Sequence, residues 1–176
     1  MKNWFFILLV FLFWNNSIIA KDPTAMQTLF TVKQVFTDCS EVAIFISEAQ
    51  YKEEEKSMQR ASAITQIKPV IYYIKDAIEI GTNVRKLAEK IPLIIYNSDV
   101  ISNSSTKMYI LKNAKDKLIP VIALTNDYYI SGGLLSLTIN EEGKLEINAN
   151  LKSNTEYASL FTPETIEKLK IVNIIQ

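Results

Sequence analysis

Residues 91–127 read "IPLIIYNSDVISNSSTKMYILKNAKDKLIPVIALTND". Two apolar, β-branched runs, 91–97 and 119–125, bracket a segment of helical period. In that segment Met108, Leu111, Ala114 and Leu118 recur on one stripe behind a serine-rich start. Short continuous apolar runs read as strands buried on both faces, and the 3.6-residue recurrence reads as a helix. The unit is therefore strand, helix, strand. Each strand opens with Ile-Pro, at Ile91-Pro92 and Ile119-Pro120. Proline is tolerated at a strand's first residue, where no ladder donor is needed.

The same alternation extends toward the N-terminus. "EVAIFIS" (41–47) and "KPVIYYI" (68–74) are two further apolar strands. Between them, 51–65 reads as a helix with early acids and a thin apolar face of Tyr51, Met58, Ala61 and Ile64. Residues 76–90 read as a helix with Ala77, Ile80, Val84 and Leu87 on one stripe. An opening helix is expected from Asp22-Pro23, a cap residue before a first-turn proline, with Ala25, Leu29, Val32 and Phe36 facing inward. Strands alternating with helices argue for a parallel sheet covered on both faces, and the right-handed crossover rule gives a doubly wound α/β sandwich.

After Asp127 the rhythm changes. Leu135, Leu137 and Ile139 alternate with Ser136, Thr138 and Asn140. Beyond "EEGK", Leu145, Ile147, Ala149 and Leu151 alternate with Glu146, Asn148 and Asn150. Period-two patterning predicts an antiparallel hairpin with one wet face, and Gly143 suits its turn. A last helix is expected with Thr162 as cap, Pro163 in its first turn, and Ile166 and Leu169 facing in.

Composition narrows function. The chain has 176 residues, with 19 basic and 19 acidic side chains and no basic stripe, so nucleic acid is a poor partner. It has no histidine, which removes the commonest general base and transition-metal ligand. One cysteine, Cys39, excludes an internal disulfide and a multi-cysteine zinc site, and its place before an apolar strand predicts burial. No G-x-S-x-G is present. The reading is non-enzymatic, without metal or cofactor. Lys2, the apolar run Trp4–Trp14 and a polar patch ending at Ala20 have the layout of a secretory signal peptide. Residues 1–20 are accordingly set aside, 21–176 are expected to form a single α/β domain, and a periplasmic location follows.

In an open parallel sheet, ligands bind beyond the carboxyl ends of the strands. Those ends carry Ser47, the triplet Asn97-Ser98-Asp99 and the triplet Thr125-Asn126-Asp127. Gly132 and Gly133 follow, adjacent glycines in a chain with four. These nine residues are the candidate ligand-binding set. Each also suits an ordinary turn, and the glycines suit either close approach of a ligand or a tight lead into the hairpin.

The C-terminal third, "ISGGLLSLTINEEGKLEINANLKSNTEYASLFTPETIEKLKIV" (130–172), resembles the end of the YfiR/HmsC-like family of small periplasmic proteins. The shared features are Gly132-Gly133, an apolar strand, a turn, a second strand ending in Asn150-Leu151, and a closing helix. The remainder fits by order of elements. The family's Trp-Pro near the end of the first helix is replaced by "QVFTDCS" (34–40), and its disulfide cysteines are absent. The resemblance implies a regulator that represses a membrane-bound signalling partner, such as the periplasmic part of a diguanylate cyclase, and so bears on cyclic di-GMP and biofilm. The "NLK" ending is also similar to substrate-binding proteins of ABC-type transporters. That similarity implies one flavodoxin-like lobe of the periplasmic-binding kind, holding a small ligand for a transporter subunit or sensor. The sequence leaves the oligomeric state open, a homodimer included.

Overall fold

The computed structural model describes residues 22–176, so the expected signal peptide lies outside the described residues. The elements are α1 (Ala25–Val35), β1 (Glu41–Ile46), α2 (Glu48–Thr65), β2 (Lys68–Tyr73), α3 (Ala77–Lys86), β3 (Leu93–Ile95) and α4 (Asp99–Ser102). There follow α5 (Ser104–Asp116), β4 (Val121–Ala123), α6 (Asn126–Ser131), β5 (Leu135–Ile139) and β6 (Leu145–Asn150). A 3-10 turn (Thr155–Leu160), α7 (Pro163–Leu169) and β7 (Ile171–Ile175) close the chain.

All seven strands form one sheet in the order β2-β1-β3-β4-β5-β6-β7. The first five pair in parallel, β5 and β6 pair antiparallel as a hairpin, and β7 lies parallel to β6. The expected α/β class, parallel sheet and hairpin are thus all present. Two cores flank the sheet. One joins α1 and α2, through Leu29, Val32, Met58 and Ala61, to Ile44, Ile94 and Ile122. The other joins α3 and α5, through Ile80, Val84, Ile110 and Ala114, to Phe45, Leu93, Ile95 and Val121. Alternate residues of β1 and β3 serve opposite cores, which is why these strands read as unbroken apolar runs.

Local chemistry sets the helix limits. α1 starts at Thr24 rather than Asp22. The Thr24 hydroxyl accepts from Gln27 N at 3.2 Å while Gln27 Oε1 accepts from Thr24 N at 2.9 Å, a reciprocal box that Asp22 does not form. At the other end of α3, the Lys117 ammonium donates to the carbonyls of Arg85 and Leu87, both at 2.8 Å, and satisfies acceptors that the helix leaves unpaired. Both Ile-Pro strand starts follow a residue in the left-handed region, Lys90 at φ 63° and Leu118 at φ 52°. The chain thus enters β3 and β4 by the same sharp turn.

Several expectations are corrected, among them the inward place of Ile64, which is 68% exposed, and of Ala77, also exposed. The stripe on α5 is Ile110, Leu111 and Ala114, whereas Met108 and Leu118 are 55% and 44% exposed. Leu118 falls outside the helix, beyond its cap at Lys117. Cys39 is half-buried, and its thiol donates to Glu41 O at 3.2 Å. The closing helix stops at Leu169 because Lys170 turns left-handed at φ 53°. The β-branched run that follows adds β7 to the sheet instead.

Candidate functional site

The order 2-1-3-4-5 has a topological switch between β1 and β3. From β1 the chain crosses one face through α2 to β2, then crosses the other face through α3 to β3. Loops leaving β1 and β3 therefore diverge at the carboxyl edge, where such sheets bind ligands. Ser47 ends β1 and caps α2, its hydroxyl accepting from Gln50 N at 3.2 Å. Gln50 Nε2 then donates to the Asn97 carbonyl at 2.7 Å, which ties the two diverging loops across the switch.

Two of the other carboxyl-edge residues, Ser98 and Thr125, are helix caps. Asn97 Oδ1 accepts from the Ser102 hydroxyl at 2.6 Å. Ser98 caps α4, with Asp99 in its first turn. Thr125 caps α6, accepting from Asp127 N at 3.2 Å. Asn126 turns inward, and its Oδ1 accepts from the Ser136 hydroxyl at 2.8 Å and from Asn148 Nδ2 at 3.1 Å. Ser47, Asn97, Ser98, Asp99, Thr125 and Asp127 thus share one edge, exposed or half-buried.

Gly132 and Gly133 lie at the opposite edge. α6 leads from the carboxyl end of β4 back to the start of β5, and Leu134 N donates to the carbonyl of Val121, the first residue of β4. Gly132 caps α6 at φ 118°, and Gly133 N donates to Tyr128 O at 2.7 Å. The turn from α6 into β5 accounts for both glycines. Two cavities open at this amino edge. One, of about 400 Å³, lies beside Phe36, Cys39 and Pro92, and the other, of about 360 Å³, beside Gly132 and Asn154.

Sequence reasoning missed three residues at the carboxyl edge. Gln50 was legible as the fourth residue of a Ser-x-x-Gln box. Glu54 occupies the inward stripe of α2, between Tyr51 and Met58, where the period calls for an apolar residue. Tyr96 directly follows β3 and continues its apolar run, so its pattern is that of a strand residue. It is 2% exposed, and its hydroxyl has no hydrogen-bond partner among the described residues.

Burial pushes the phenols of Tyr96, Tyr128 and Tyr157 upward, with smaller contributions from Glu54 and Asp22, from Asp127, and from Glu156 respectively. Tyr157 is raised to about 12 from 10.0. A raised phenol keeps its proton in the fold while the unfolded chain releases it, so the stability it contributes is present below pH 10 and lost as pH rises toward 12. Far-UV circular dichroism followed against phenolate absorbance should therefore show unfolding and tyrosine ionisation rising together, and Tyr157→Phe should flatten the alkaline loss.

Among the described residues no cluster of three or more His, Cys, Asp or Glu is placed to hold a metal ion, and no helix is long and apolar enough to cross a membrane. No family model and no curated protein matches the chain. Solved structures do. A conserved domain protein from Vibrio cholerae O1 biovar El Tor superposes with a TM-score of 0.72 at 14% identity, covering 88% of this chain and 61% of that one. An ABC domain from Streptococcus pneumoniae in complex with L-Trp gives 0.71 at 14% identity, covering 89% and 62%. The shared fold is a mostly parallel α/β sheet flanked by helices. A substrate-binding protein with adhesive properties from Clostridium difficile, in a ligand-free open structure, gives 0.63 at 15% identity, covering 89% and 61%. The chain thus spans about three fifths of the length of each of these three structures. At such identities the likeness is one of fold, and the fold leaves chemistry to the residues at its edge.

Proposed function

We propose that this chain is an exported, non-catalytic module that binds a small molecule at the carboxyl edge of its sheet, at the β1/β3 switch. The observation that carries this reading is the switch itself. Two diverging loops are held by the Gln50–Asn97 bond and rimmed by Ser47, Asn97, Ser98, Asp99, Thr125 and Asp127. The likeness in fold to an ABC domain in complex with L-Trp and to a ligand-free, open substrate-binding protein supports the same reading. A transporter subunit or sensor is the natural recipient of the bound molecule.

The test is a thermal-shift screen of amino acids, amines, sugars and carboxylates, followed by calorimetry. The reading expects at least one saturable ligand. Asn97→Leu should weaken it by about tenfold, near 1.4 kcal/mol, by removing a polar edge group. Gly132→Ala, at the opposite edge, should leave affinity unchanged. A screen without binders, together with a membrane signalling protein recovered from crosslinked envelopes, would overturn this reading. It would favour the regulator that the C-terminal resemblance implies.

A further inference from the structure

The amino-edge cavity of about 360 Å³ is built against a buried side chain that keeps one acceptor free. Asn154 is 8% exposed and lines that cavity. Its Nδ2 donates to Gly132 O at 3.0 Å and to Asn150 O at 2.7 Å. Its backbone N donates to Leu151 O at 3.2 Å, and its carbonyl accepts from Tyr157 N at 3.0 Å. Oδ1 alone has no partner among the described residues. Flipping the amide would set its oxygen against two carbonyls, so the acceptor stays where it is. Nor is Oδ1 sealed in, because among the described residues the one fully enclosed side-chain atom without a partner is the Tyr96 hydroxyl. The space onto which Oδ1 opens is the cavity that its residue lines.

α5 turns Met108, Leu111, Lys112 and Lys115 to the same cavity, at the i, i+3, i+4, i+7 spacing of one helical face. Glu156 lines it from the segment that carries Asn154. None of these three charges forms a salt bridge among the described residues. Cations therefore come from α5, acceptors come from residues 154–156, and Met108 and Leu111 supply apolar wall. We infer that this cavity is a second site, independent of the carboxyl edge, for a zwitterionic amino acid with an aliphatic side chain. The ligand's carboxylate meets Lys112 and Lys115, and its ammonium donates to Asn154 Oδ1 and to Glu156. A carboxylate without the ammonium brings no donor to Oδ1 and is opposed by Glu156. An amine without the carboxylate adds a third cation to the two of α5. A purely apolar molecule would close over Oδ1 and leave it unmet. The volume suits a small ligand, since such sites begin at about 300 Å³.

The test is calorimetric titration of the purified protein with L-leucine, paired with amide NMR spectra of the isotope-labelled protein. Isocaproate, which lacks the ammonium, and isoamylamine, which lacks the carboxylate, are the controls. The inference expects saturable binding of L-leucine, about tenfold or more tighter than either control. Saturation should shift the Asn154 side-chain amide and the Gly132 backbone amide. Lys112→Gln combined with Lys115→Gln should weaken L-leucine by about tenfold, and Glu156→Gln by several-fold. All three side chains are exposed, so the changes spare the fold, and the same spectra report that they do. No binding, a control that binds as tightly as L-leucine, or a response indifferent to all three changes would overturn the inference. The two sites fail separately. L-leucine that shifts the resonances of Asn97 instead of those of Gly132 and Asn154 removes this inference and leaves the carboxyl-edge module standing. A thermal-shift screen whose binders all shift Gly132 and Asn154 and are indifferent to Asn97→Leu removes the carboxyl-edge site and leaves this one.

Discussion

Gly133→Val lowers the stability of the fold by about 3 kcal/mol, measured by urea unfolding. A Cβ built on Gly133 meets the backbone of Tyr128, with its oxygen at 3.1 Å and its carbon at 3.2 Å. These are main-chain atoms of α6 and cannot rotate aside. Relief requires moving α6 against β5, which lengthens the 2.7 Å bond from Gly133 N to Tyr128 O. Tyr128 is fully buried and donates its hydroxyl to Ile101 O at 2.8 Å, so it resists the shift from its other end. Overpacking of this kind costs about 1–3 kcal/mol, and the strained hydrogen bond adds about 1. Gly132→Ala is the control. Its Cβ would meet Ser153 at an ordinary 3.7 Å, and its cost is the backbone conformation at φ 118°, about 1–2 kcal/mol. If Gly133→Val cost less than Gly132→Ala, the tight-turn account of the paired glycines would be wrong.

The contrast between these glycines and the residues around Ser47 shows what the sequence carries. Polar residues at strand ends are visible in sequence, and Ser47, Asn97, Ser98, Asp99, Thr125 and Asp127 do share an edge. Placing the glycines depended on the direction of the chain through α6. A six-residue helix is too short to display a period, so "TNDYYIS" gave no sign that it returns to the amino edge. α4 is shorter still and was equally silent. The parallel strands were legible because burial on both faces leaves unbroken β-branched runs. β7 was not, because no turn residue separates it from α7. The break is made by Lys170 in a left-handed conformation that lysine does not advertise. Tyr96 was hidden for a different reason. Its significance lies in a missing partner, which only three-dimensional packing reveals.

Asn148→Ala costs about 3 kcal/mol by the same measurement, because it removes the hub of a polar ladder that fastens the hairpin and β7 to the rest of the sheet. Period-two alternation suggests that Ser136 and Asn148 face water, yet they are 0% and 4% exposed. α6 covers them, and Asn126 reaches down from its first turn. Asn148 Nδ2 donates to Asn126 Oδ1 at 3.1 Å and to the Ser136 oxygen at 3.2 Å, and its Oδ1 accepts from Asn173 Nδ2 at 2.8 Å. Four elements, α6, β5, β6 and β7, meet in one side chain. An irregularity between Ile147 and Asn148 skips Val172, which is what brings Asn173 opposite Asn148. Truncation takes a partner from the buried Ser136 hydroxyl and removes three hydrogen bonds made by a buried amide, and a buried group left short of partners costs about 1–3 kcal/mol. The ladder account also predicts non-additivity. The double change Asn148→Ala with Ser136→Ala should cost at least about 1 kcal/mol less than the two single changes together, since they remove parts of one network. Additive costs would mean that the two side chains act independently and that the ladder is not a joint. The consequence reaches the ligand edge, because Asn126 is the residue between Thr125 and Asp127. Asn126 Oδ1 is held by both Ser136 and Asn148, so the double change, which removes both donors, should alter ligand affinity more than Asn148→Ala alone while leaving Asn97 untouched.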